Sequence, residues 1–112
     1  MRIISMTRLR EFWEAERAQA DAQRPLIQWH GIVESAGWIN PAGVKAAFGK
    51  NVDFVQVESG NTVCVFNIHG NKYRLIAAVH YIKPPHQDKG RVYVLRVLTH
   101  EEYDENRWKE EL

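Results

Sequence analysis

The chain reads as an α+β protein in which N-terminal helices pack on a mostly antiparallel twisted sheet and a helix closes the C-terminal end. Three observations predict this. Apolar residues recur at helical spacing as far as Phe48. From Val52 the period changes to two. Thr99 and Glu102 then have the spacing of a capping box, so a helix starts directly behind the last strand.

Residues 1–6 read as a short strand, with Thr7 as the cap of a helix that carries Leu9, Phe12 and Trp13 on one face and runs to about Gln23. Pro25 suits the first position of a second helix, whose stripe is Leu26, Trp29, Val33 and Ala36 and whose stop is Gly37. Asn40 and Pro41 signal a short third helix with Val44 and Phe48 inward, ended by Gly49. Four strands follow, at 52–57, 62–68, 72–82 and 91–98. The second and third are joined tightly through His69, Gly70 and Asn71, and the third and fourth by a loop that Pro84 and Pro85 keep irregular. In the third strand Tyr73, Leu75, Ala77, Val79 and Tyr81 form an apolar face. Lys72 and Arg74 together begin the other, cationic face. From His100 the last helix runs into an acidic tail. This arrangement leaves the sheet face opposite the helices partly open.

At 112 residues the chain predicts one domain with a modest core, and 45% hydrophobic residues argue against disorder. No apolar run reaches membrane-spanning length, residues 1–7 are too short for a signal peptide, and Cys64 is the only cysteine. A cytoplasmic protein with no membrane contact is the expectation. The formal net charge of +1 conceals an uneven distribution: +5 over residues 1–99 and −4 over residues 100–112. Between residues 72 and 100 stand Lys72, Arg74, Lys83, Lys89, Arg91 and Arg96 against Asp88 alone, together with His80, His86 and His100. Such a stretch suits either a polyanion or, as charge alone favours, a plain solvated sheet face.

Helical spacing puts His100 and Tyr103 on one face, and pairing of the third and fourth strands brings Arg74 or Lys72 towards them. Cations, an imidazole and a phenol suit RNA transesterification. A base takes the 2′-hydroxyl proton, the oxygen attacks phosphorus, cations hold the developing charge, and an acid protonates the leaving oxygen. Arg74 is the electrostatic clamp, His100 the proton carrier, and Tyr103 the group that orients a phosphate or stacks on a base. Lys72, Lys83, Arg91 and Arg96 are candidate phosphate contacts, whereas His80 reads as a plain strand residue. Each candidate also has a structural use: Arg74 as a surface charge, His100 as a helix-start residue, Tyr103 as a helix anchor. No metal ligand spacing, no cofactor motif and no glycine-rich phosphate loop is present, and Cys64 reads as a buried, inert thiol in mid-strand. A non-catalytic RNA-binding module and a protein-interaction module are the alternatives.

Four passages carry a family resemblance: Ile3-Ile4 before a helix start near Leu9; residues 43–48, GVKAAF; residues 66–76, FNIHGNKYRLI; and residues 94–104, VLRVLTHEEYD. On these the chain resembles the HigB-type toxins of bacterial toxin–antitoxin pairs, within the RelE-like messenger-RNA interferases. The resemblance implies a small α+β domain that cuts messenger RNA at the ribosomal decoding site. It also implies a helix-turn-helix, HigA-like antitoxin as partner, with DNA engaged only through that antitoxin. The family's strand arginine falls on Arg74, and its later motif positions on Arg96, His100 and Tyr103. The acidic tail from Glu101 to Glu111 departs from the pattern. It is placed either to oppose RNA or to cover the site.

Overall fold

The structure is a computed structural model that describes residues 1–83, 85 and 89–112. Its elements are β1 (Arg2–Ile4), α1 (Thr7–Ala15), a 3₁₀ stretch (Arg17–Ala22), α2 (Gln23–Glu34), α3 (Pro41–Phe48), β2 (Val52–Gln56), β3 (Thr62–Ile68), β4 (Tyr73–His80), β5 (Arg91–Thr99), α4 (His100–Asp104) and α5 (Arg107–Glu111). The architecture is the expected α+β one. A five-stranded sheet runs in the order β1-β5-β4-β3-β2, antiparallel throughout except where β1 lies parallel to β5. Of the expected proline loop, Pro84, His86, Gln87 and Asp88 lie outside the described residues.

The N-terminal helices cover one face. Leu26, Trp29 and Val33 bury the α2 stripe against Phe66 and Leu75, with Trp29 edge-on to Phe66 at 5.5 Å and Phe48 edge-on to Phe66 at 4.7 Å. Asn40 caps α3 as its sequence indicates, its side-chain oxygen accepting from the Gly43 amide at 3.2 Å. Both ends of α1 and both ends of α2 differ from the sequence reading. α1 stops at Ala15 because Glu16 is extended and the Gln19 side chain donates to the Phe12 carbonyl at 2.7 Å. Thr7 is the first helical residue and Met6 the cap, which makes no side-chain bond. α2 then starts at Gln23, so Pro25 sits within its first turn, where a missing N–H costs nothing. At its other end α2 stops at Glu34 rather than running to Gly37, and the Met1 amino group donates to the carbonyls of Val33, Glu34 and Ala36.

The second sheet face is less open than expected. The helix begun at His100 breaks after Asp104, and Asn106 takes a left-handed conformation (φ 62°). The break turns α5 back on the sheet, where Trp108 joins Val57, Val63, Val65 and Ile76 in a second core, flanked by Tyr103 and Leu112. The acidic tail is therefore a docked element, held to the sheet by its apolar side chains and by Glu111, which meets Arg96 of β5.

Candidate nucleic-acid site at the β4–β5 end

β4 and β5 pair with Tyr73 opposite Thr99 and Arg74 opposite Leu98, so His100 begins α4 beside the start of β4. Its amide donates to the Lys72 carbonyl at 3.1 Å, pinning the helix start to the β3–β4 turn. The capping box is complete: the Thr99 hydroxyl accepts from the Glu102 amide at 3.2 Å and the Glu102 carboxylate from the Thr99 amide at 3.0 Å. Tyr103 is thereby held over Arg74, with the guanidinium carbon 5.3 Å from the ring centre. The Tyr103 ring also stacks on Trp108 at 5.2 Å and 17°. Burial pushes the Tyr103 hydroxyl up, with Asp53 and Asp104 adding to the effect and the Arg74 charge opposing it.

Arg74 is 9% exposed, the one charged residue in the buried class among the described residues. Its Nη1 donates to the carbonyls of Asn71 at 2.9 Å and Tyr73 at 3.1 Å. No carboxylate pairs with it among the described residues. Its remaining donors meet no protein acceptor there, yet none is sealed from solvent, for among the described residues the only fully buried side-chain polar atom lacking a partner is Trp29 Nε1. A charge buried without a counterion is costly, and an anion arriving at its open edge relieves that cost.

His100 is exposed, and its Nε2 lies 3.3 Å from Asp104 Oδ2, one turn on. Asp104 thus holds the imidazole from the solvent side. The sequence reading missed it, although the i, i+4 spacing marks it. Arg74, Tyr103 and His100 therefore stand at one end of the sheet.

The other candidates separate. Lys72 does not share the Arg74 face. It lies in the turn that precedes β4, and its ammonium pairs with Asp21 of the 3₁₀ stretch. The Tyr73 hydroxyl donates to the same carboxylate at 2.6 Å, and His69 Nε2 lies 3.6 Å from it. This network draws Asp21 below the usual carboxylate range, chiefly through the Lys72 and Tyr73 hydrogen bonds, and raises Lys72 in turn. Arg96 does share a sheet face with Leu98, and it directly follows a β-bulge that leaves Leu95 unpaired between Val94 and Arg96. The Leu95 carbonyl accepts from Arg96 at 2.8 Å and from Arg8 at 3.2 Å, and Arg96 also meets Glu111 at 3.4 Å. Arg91 stands opposite His80 at the far end of β4, with exposed Lys83 beyond it, so neither joins the Arg74 group. Beyond the break Arg107 pairs with Glu105 at 3.8 Å. Cys64 is buried between strands, its thiol pushed up to about 11 by burial, as an inert thiol requires.

Among the described residues no three His, Cys, Asp or Glu side chains gather as a metal site, and no helix is long and apolar enough to cross a membrane. The sequence model of the HigB toxin family, described as the RelE-like toxic component of a toxin–antitoxin system, matches residues 22–106. No curated protein matches the chain.

Proposed function

The chain belongs to the HigB toxins, the RelE-like toxic component of a toxin–antitoxin system, and from that premise we propose that it is a metal-independent endoribonuclease that cuts messenger RNA on the ribosome. The observation that carries the reading is Arg74, a buried guanidinium with carbonyl partners, no carboxylate among the described residues and donors left open towards solvent. A toxin of this family implies an antitoxin partner. A helix-turn-helix, HigA-like protein that carries the pair to DNA in the cytoplasm is the form we propose for it.

In the proposed reaction a ribose 2′-oxygen attacks the adjacent phosphorus as its proton passes to a general base, and the bond from phosphorus to the 5′-oxygen breaks. The products are a 2′,3′-cyclic phosphate and a 5′-hydroxyl, the latter completed by a proton from a general acid. His100, oriented by Asp104, serves one of the proton transfers. Arg74 holds the charge on the non-bridging oxygens, and Tyr103, whose ring faces are taken by Arg74 and Trp108, positions the phosphate through its hydroxyl rather than by stacking on a base. Arg96 adds a phosphate contact once it exchanges Glu111 for RNA. Lys72 plays that part only where it leaves Asp21.

Arg74→Ala should keep its circular dichroism spectrum, abolish growth arrest on expression and lower the cleavage rate about 10²- to 10³-fold, the usual loss for one stabilising donor. His100→Ala should also impair cleavage. New messenger 5′-ends after incubation with translating ribosomes mark an enzyme; bound RNA without new ends leaves a non-catalytic RNA-binding module. A folded Arg74→Ala protein as toxic as the native one removes Arg74 from the mechanism.

A further inference from the structure

The far end of the Arg74 sheet face carries a second set of cations. Arg2 on β1 stands opposite Arg91 on β5, and Arg91 opposite His80 on β4. Residues paired in register project to the same side, and His80, six residues along β4 from Arg74, is on the Arg74 face. Two guanidiniums and an imidazole thus lie abreast across three strands, all three residues exposed. One row further in, Tyr93 is opposite both Ile4 and Ala78, and its ring packs on His80 at 4.9 Å. Next to this row a cavity of about 510 Å³ opens between Leu112 and the sheet, walled by Ala78, His80 and Leu95 among others.

We propose that Arg2, His80 and Arg91, with Tyr93, form a second subsite for single-stranded RNA. The two guanidiniums hold backbone phosphates and the Tyr93 ring receives an unpaired base. A polyanion laid across the row meets a guanidinium on each of two neighbouring strands. The adjoining aromatic selects a single strand, because only unpaired bases offer a free face for stacking. A protein partner fits less well, since charged residues are depleted from the centres of protein interfaces. Six strand steps separate His80 from Arg74, about 20 Å along the face. The subsite therefore binds the substrate well away from the scissile bond. This inference rests on the reading that the substrate is RNA.

The test is the salt dependence of binding of an unstructured, fluorescently labelled oligoribonucleotide, at a pH just above neutral, to the native protein and to Arg2→Gln/Arg91→Gln. Each phosphate contact to a single strand contributes about 0.7 to the slope of log K against log salt. The double variant should be shallower by about 1.4, in the native and the Arg74→Ala backgrounds alike. Tyr93→Leu should bind at least about fivefold more weakly than Tyr93→Phe. An unchanged slope in a double variant with native circular dichroism overturns the subsite, including where the row proves to bind an acidic protein instead. If the slope responds but no messenger is cut, the subsite stands and the nuclease reading falls; if messenger is cut and the slope is indifferent, the subsite alone falls.

Discussion

Lys72 and Arg74 stand two apart, and in a continuous strand they would share a face. They do not, because residues 69–72 form the turn: His69 and Gly70 both have positive φ, and the Lys72 amide closes the loop on the His69 carbonyl at 3.2 Å. Strand alternation starts only at Tyr73, which leaves Lys72 free to join Asp21 beside the Tyr73 hydroxyl. That pairing has a pH signature. The Asp21 carboxyl is lowered in the folded state, so its contribution is present in full above the ordinary carboxylate pKa of about 4 and is lost as pH falls through the lowered value. Asp21→Asn should accordingly show a smaller loss of urea stability than the native protein as pH is taken from neutral to below that range. Native-like acid sensitivity in the variant would show that Asp21 contributes nothing to it. Arg74 itself was readable as a candidate from its motif, but its burial was not, because Tyr103 of α4 lies over it from another part of the chain.

α4 illustrates an end that the sequence states and an end that it hides. Thr99 and Glu102 specify the start through two reciprocal bonds that lie within four residues. Thr99→Ala should cost about 1 kcal/mol in urea unfolding, and a value near zero would mean that the His100 amide bond to Lys72 holds the helix unaided. The end at Asp104 carries no Gly or Pro signal. The break arises because a straight helix would carry Trp108 into water. A left-handed Asn106 brings its indole onto Val63, Val65 and Ile76 instead, and its Nε1 donates to the Tyr103 carbonyl at 3.0 Å. The bulge at Leu95 is equally silent in sequence, since it depends on two guanidiniums that take up the freed carbonyl, Arg8 from α1 and Arg96 from the strand itself.

The whole molecule closes through its first strand. β1 pairs in parallel with β5, so Arg2 meets Arg91 across almost the full length of the chain, while β2 to β5 are sequential antiparallel neighbours. Local hairpins form at small loop-closure cost, and the β1 contact carries the largest. Interactions of β1 therefore belong after the folding transition state. Ile3→Ala, which trims a half-buried side chain packed on the main core, should raise the unfolding rate about tenfold and leave the folding rate nearly unchanged. An equal fall in the folding rate, measured by stopped-flow denaturant jumps, would place β1 in the nucleus instead.

Local pattern was enough for the α+β class, β3 to the residue and the Asn40 and Thr99 caps, because periodicity and capping act over a few neighbouring residues. The neutral partner set of Arg74, the capture of Lys72 by Asp21, the folding back of Trp108 and the alignment of Arg2 with Arg91 and His80 lay beyond it. Each depends on segments remote in sequence competing for one buried surface or one charge, and such a competition is settled only when the segments meet in space.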